Sequence, residues 1–172
     1  RYVDDSHNYI LLRVDFDYEL KRLDISNLPD TQYNAVIIAD YNKGFLTHTD
    51  IKEICKHYDC PIFLDTKKEL GTWVNDVDII KINYSEYKKS KEFIESNHNI
   101  KNKTITTRGK FGCNFQEKNY PTQQVEVKDV AGAGDTFLAG LVFKYMESLS
   151  IDDAITFANL CSTQVVQKRG VS

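Results

Sequence analysis

Short apolar runs at residues 35–39, 61–64 and 77–82 constrain this chain more than any other feature, because each ends in a polar loop. Two of those loops lead into helix-start chemistry. Thr47 with Asp50 has the spacing of a capping box, and so does Asn83 with Glu86. The spacing predicts strands at 34–40, 61–65, 77–82 and 103–107, with helices from 47 to about 58 and from 83 to 97. Strand and helix alternating in this way form a mostly parallel sheet with helices on both faces. Ligands of such sheets bind at the loops that follow the carboxyl ends of the strands.

One of these loops has chemistry of its own. Residues 124–128 alternate apolar and polar and read as a strand, residues 138–146 read as a helix, and between them runs Asp129-Val130-Ala131-Gly132-Ala133-Gly134-Asp135-Thr136-Phe137. Two glycines allow a sharp turn and close approach of a ligand to the backbone. The free N–H groups of a helix's first turn favour an anion there. Asp135 stands in that same turn. Two readings stay open for it: a base beside a reacting phosphate, or an ordinary acid favoured by the helix dipole.

Composition removes several classes of function. The chain has 172 residues, enough for one domain with a real core, and 41% are hydrophobic. A formal net charge of −3 argues against nucleic acid or an anionic membrane as partner. No apolar run reaches membrane-span length, and no signal-peptide pattern opens the sequence. Cys55, Cys60, Cys113 and Cys161 show no paired spacing, and Cys55, His57 and Cys60 lack the second ligand pair of a zinc site. The expected compartment is the reducing cytoplasm. Met146 is the only methionine, so residue 1 does not read as a translation start and the chain reads as part of a longer or processed protein.

Residues 129–135 resemble the signature of the ribokinase-like (PfkB) carbohydrate kinases, Asp-Thr-x-Gly-Ala-Gly-Asp, departing at Val130 while keeping the glycines and both aspartates. Further segments resemble the same family, and its heptose 7-phosphate kinase branch in particular. Residues 12–17 resemble the branch's Leu-Ile-Arg-Leu-Asp-Phe-Glu segment, and Asp40-Tyr41-Asn42-Lys43-Gly44 its Asp-Tyr-Gly-Lys-Gly. Asp65-Thr66-Lys67 resembles Asp-Pro-Lys, Asn83 to Glu86 the Asn-x-x-Glu element, and Thr107 to Gly112 the Thr-x-Gly-x-x-Gly hairpin.

The resemblance implies a three-layer α/β/α sandwich whose N-terminal strands have no counterpart before Arg1. Residues 1–172 would then be a partial kinase domain, with a β-lid strand at about 9–17 and a nucleotide-binding core at 34–172. It also implies ATP and Mg²⁺ as cofactors, a monovalent cation such as K⁺ near Asp129, and a homodimer. Asp135 would be the base, and Gly132, Ala133 and Gly134 would cradle the transferring phosphoryl group. Lys67, Asn83, Glu86, Thr107, Gly109, Gly112 and Asn159 would serve the nucleotide, with Glu86 holding Mg²⁺ through water. Arg13, Asp40, Lys43 and Gly44 would serve a sugar phosphate.

Each of these residues also has a plain reading. Asn83 and Glu86 form a cap, Lys43 is a solvated loop lysine, Arg13 a strand-face arginine, and Asn159 a polar residue on a half-exposed helix. The implied reaction is phosphoryl transfer from ATP to a sugar hydroxyl, the anomeric hydroxyl of a heptose 7-phosphate. The alternatives are a ribokinase- or fructokinase-like enzyme, or a remnant of that fold that binds without catalysis.

Overall fold

The runs that read as buried strands are buried because helices cover both faces of the sheet they form. The computed structural model describes residues 2–4, 9–12, 14 and 20–168. After a short ribbon of β1 (Tyr2–Asp4) and β2 (Tyr9–Leu12), the main elements follow in the expected order. They are β3 (Val36–Asp40), α1 (His48–His57), β4 (Ile62–Thr66), β5 (Ile79–Asn83), α2 (Tyr84–Ser96), α3 (His98–Lys103), β6 (Thr104–Thr107), β7 (Cys113–Phe115), β8 (Lys118–Tyr120), α4 (Ala133–Ser148) and α5 (Ile151–Val165). The six-stranded sheet runs β3-β4-β5-β6-β7-β8; its first four strands are parallel and the last two antiparallel. β1 and β2 form a separate antiparallel pair, so the lid expected at 9–17 is a strand over 9–12; Arg13 and residues 15–17 lie outside the described residues.

The two-residue period of a strand assigns each side chain to one face. Ile38, Leu64, Ile80 and Ile82 pack against α1, α2 and α3 through Ile51, Ile54, Ile94 and Ile100. Phe63, Ile79 and Ile105 face α4 and α5 through Phe137, Leu141, Ala154 and Ile155. That is the three-layer α/β/α arrangement. β4 is buried along its whole length, whereas β3 is an edge strand with Ile37 47% exposed, not the fully buried strand its composition suggests.

Two local readings change. Residues 124–128 are not a strand: the N–H groups of Lys128 and Asp129 donate to the Val166 carbonyl at 2.7 and 3.2 Å instead of to a strand neighbour. The alternation there serves a cavity wall, formed by Val125 and Val127. The turn that joins β7 to β8 is only two residues long. Gln116 and Glu117 both have positive φ, 47° and 66°, as a tight hairpin turn requires, and residues 118–120 are β8. The helix expected at 138–146 begins at Ala133, because the Gly-Ala-Gly-Asp run is itself its first turn. Both predicted capping boxes formed as read. Thr47–Asp50 and Asn83–Glu86 are complete boxes, while Ser150 accepts from Asp153 N without the reciprocal bond.

Candidate active site

Strand parity sorts the charged residues at the carboxyl edge of the sheet. Asp40 and Thr66 point to the α1 face, and Asp65 and Lys81 to the α4 face. Asp40 is buried. Its Oδ1 accepts from Asn42 N at 3.0 Å, and its Oδ2 accepts from Thr66 Oγ1 at 2.8 Å and Lys68 Nζ at 2.5 Å. It borders a cavity of about 150 Å³ while anchoring the loop that follows β3. In that loop Asn42 has φ 55° and Gly44 φ 84°, the left-handed backbone that Asn and Gly tolerate best. Lys43 is exposed and lines neither cavity of the site.

The glycine turn faces these loops across the cavity. Gly132, at φ 75°, is the N-cap of α4 and offers no side chain to the helix. The Ala133 N–H donates to Val130 O at 3.3 Å and the Thr136 N–H to Gly132 O at 2.8 Å. The N–H groups of Gly134 and Asp135, at the second and third positions, are left without an intrahelical partner. Of the residues expected to cradle the phosphoryl group, Ala133 has its amide taken, whereas the amides of Gly134 and of the neighbouring Asp135 have no partner among the described residues.

Asp135 is exposed, and its Oδ1 accepts from Tyr41 Oη at 2.8 Å. That bond, then burial and the charges of Asp135 and Asp65, push the Tyr41 hydroxyl up to about 12. Beneath the turn, Lys81 Nζ donates to Asp65 Oδ2 at 2.5 Å, and a Cβ on Gly134 would stand 3.1 Å from that ammonium. Asp65 Oδ1 is buried with no hydrogen-bond partner among the described residues.

Gly134, Lys67 and Lys81 line both the 150 Å³ cavity and a larger one of about 520 Å³. The larger cavity is bordered by Asn83, Thr107, Gly109, Gly112 and Asn159, all expected on the nucleotide side, and has apolar walls from Val125, Val127 and Phe137. Its size falls in the usual range for small-molecule sites. Gly112 adopts φ 79° against the Tyr120 carbonyl. Asn159 is buried, not half-exposed, and its Nδ2 donates to Tyr120 O at 3.1 Å, tying α5 to the end of β8.

Glu86 is buried and lies outside the lining of this cavity. Its oxygens accept from Asn83 N and Asn83 Nδ2, both at 2.7 Å, and Oε1 also meets Lys67 Nζ at 2.7 Å. Burial pushes the Lys67 ammonium down, but the Glu86 carboxylate, helped by Asp65 and Asp135, outweighs it and leaves the group raised. Asp129 is half-buried and its Oδ1 accepts from Ala131 N at 2.9 Å. Among the described residues no three His, Cys, Asp or Glu side chains cluster as a metal site by themselves.

Sequence reasoning passed over Tyr41, Asp65 and Lys81 as site residues. The one available signal was a charged residue inside an otherwise apolar buried strand: Lys81 between Ile80 and Ile82, and Asp65 closing Ile62-Phe63-Leu64.

The fold is ribokinase-like. A Burkholderia thailandensis nucleoside kinase, solved in complex with inosine, superposes with a TM-score of 0.66 at 19% identity, over 85% of this chain and 52% of that one. Residues 32–172 match the pfkB family carbohydrate kinase model, and the chain belongs to that family. Similar curated proteins include bifunctional protein HldE of a Nitratiruptor species, 29% identical over 82% of this chain and 34% of the relative. Another is bifunctional protein HldE of Helicobacter pylori, 32% identical over 81% of this chain and 34% of the relative. The chain thus spans about a third of the length of these relatives.

Proposed function

We propose that this chain carries the nucleotide side and the catalytic turn of an ATP-dependent kinase that phosphorylates the anomeric hydroxyl of a heptose 7-phosphate. The observation that carries the transfer is the meeting of two cavities at Gly134, with the Gly134 and Asp135 amides, two lysines and one exposed carboxylate at the junction. A triphosphate lying in the larger cavity would end where those donors converge, and a sugar in the smaller one would present its hydroxyl to Asp135. The orphaned Asp65 oxygen beside the smaller cavity fits a hydroxyl-bearing ligand, since buried acceptors are rarely left unpaired.

In this reading Asp135 accepts the proton of the attacking hydroxyl. The Gly134 and Asp135 amides hold the transferring phosphoryl oxygens, each fixed donor contributing about 3 kcal/mol by analogy with oxyanion holes. Lys67 and Lys81 balance its charge, and the low-polarity walls keep water from competing. Asn83, which borders the larger cavity, with Glu86 buried behind it, would hold Mg²⁺ through water; the ion would neutralise phosphate charge and needs few direct protein ligands. Asp129 with nearby carbonyls would hold a monovalent cation. The heptose choice rests on the likeness to HldE and on the Asp40–Gly44 segment. Lys43, exposed and outside the smaller cavity, favours a second reading with a different sugar acceptor.

The test is a coupled ADP-release assay of the full-length protein over heptose 7-phosphate, other sugar phosphates and free sugars. Turnover confined to the heptose phosphate, with a Lys43→Ala variant raising its KM alone, is the expected result. Turnover on ribose or fructose moves the substrate to the second reading. ATP binding without turnover on any sugar removes catalysis from the proposal.

A further inference from the structure

The bond between Tyr41 and Asp135 joins residues 94 positions apart, both of which line the smaller cavity. Asp135 is exposed at the start of α4, where a carboxylate held only by its own torsions would sample several rotamers. Its Oδ1 is taken by the Tyr41 hydroxyl, and Oδ2 has no hydrogen-bond partner among the described residues. The loop that carries Tyr41 is itself held. Asp40, immediately before it, is bonded by Thr66 Oγ1 and Lys68 Nζ on one oxygen and by Asn42 N on the other. Asn42 then turns the chain through the left-handed region. A chain of contacts therefore runs from the sheet edge through Asp40 to Tyr41 and on to one oxygen of Asp135.

Resting on the kinase reading above, we propose that Tyr41 is a positioning residue. It occupies Oδ1 of Asp135 and leaves Oδ2 as the oxygen that takes the proton of the acceptor hydroxyl. The buried Asp40 acts one step further back, by fixing the loop that presents the phenol. Tyr41 donates a hydrogen bond throughout and neither gains nor loses a proton. The proton leaves the sugar hydroxyl for Asp135 Oδ2 as the new oxygen–phosphorus bond forms and the bond to the departing ADP breaks.

A base fixed in this way acts on the chemical step and not on binding, which distinguishes it from a phenol that merely lines the cavity. Tyr41→Phe keeps the ring and removes the hydroxyl. In the full-length protein it is expected to lower kcat by about tenfold or more, the range for a hydrogen bond to a charged group, with ATP affinity and sugar KM within about twofold.

The decisive measurement is a double-mutant cycle in single-turnover mode. If Tyr41 acts through the carboxylate, Tyr41→Phe costs nothing further in an Asp135→Ala background. Additive losses, or a change in KM with kcat intact, would overturn the proposal by making Tyr41 a substrate contact or a closure that sugar displaces. An Asp40→Asn variant, which retains Oδ1 for the Asn42 amide, is expected to show a smaller kcat loss of the same kind. If wild-type protein turns over and Asp135→Ala leaves the rate intact, the kinase reading of Asp135 has failed, and the Tyr41 proposal fails with it. If Asp135→Ala is inactive while Tyr41→Phe is silent, only the Tyr41 proposal has failed.

Discussion

Gly112 and Gly134 show why some residues of this site admit a single amino acid. A Cβ on Gly112 would lie 2.0 Å from the Tyr120 carbonyl oxygen and 2.9 Å from Thr122 N, at a φ of 79°. Gly112→Ala is therefore expected to cost about 3 kcal/mol through backbone strain and overlap, read as a lowered midpoint in urea unfolding. Gly134 differs, since its backbone is helical and its missing Cβ would press on the Lys81 ammonium at 3.1 Å. Gly134→Ala is expected to change stability by less than about 1 kcal/mol while weakening ATP binding about tenfold, measured by calorimetric titration. Equal loss of stability and binding would show that the turn is structural only. For Asp135→Asn the expectation is a fall in turnover of about 10² to 10⁴ with ATP binding retained. The spacing of Gly132 and Gly134 before Asp135 was legible in the sequence. The pairing of Lys81 with Asp65 was not, because it depends on β4 and β5 lying in register and presenting the same face to α4.

The helix ends of the chain were read from four-residue patterns because capping is local chemistry. Thr47 Oγ1 accepts from Asp50 N at 3.2 Å and Asp50 Oδ2 accepts from Thr47 N at 2.7 Å, closing the box at the start of α1. Tertiary structure adds Arg22, whose Nε and Nη2 donate to Asp50 Oδ2 and Oδ1 at 2.9 and 2.6 Å. The bond from Arg22, with the Thr47 donors and against the opposing effect of burial, holds the buried Asp50 carboxyl far below the ordinary carboxylate range. A carboxyl lowered on folding stabilises the protein above its unfolded pKa, near 4, and loses that contribution as pH falls through the folded value. Urea midpoints are therefore expected to drop steadily below about pH 4, and Asp50→Asn is expected to flatten that dependence while lowering stability at pH 7. An identical acid limb in both proteins would show that other carboxylates dominate. At α2 the same local pattern also serves the site, because the Glu86 that caps Asn83 is the partner of Lys67.

Across the whole molecule, the exposed face of β3 stands out. Ile37 is 47% exposed at the edge of the sheet, and Phe143 of α4 is 63% exposed. Among the described residues no strand pairs with the outer edge of β3, and such an edge with apolar side chains invites pairing with another chain or segment. The 172-residue polypeptide is accordingly expected to sediment as a dimer or larger assembly, and Ile37→Lys to shift it toward 19.8 kDa. A monodisperse monomer would contradict this expectation. No helix among the described residues is long and apolar enough to cross a membrane.

What the sequence determined by itself is whatever depends on near neighbours: three strands from apolar runs and a fourth from a β-branched run, caps from four-residue patterns, the glycine turn, and the carboxylate within it. Each follows from backbone sterics, hydrogen-bond satisfaction and periodicity over a few residues. Only the tertiary structure decided that residues 124–128 line a cavity instead of joining the sheet, because a strand needs a partner and α5 supplied the acceptor for Lys128 and Asp129. It alone decided that Asp40 anchors a loop, that Lys81 lies under Gly134 and that Tyr41 reaches Asp135. Those contacts join residues 28 to 94 positions apart, and no local pattern encodes which distant groups a sheet's register and a helix's packing will bring together.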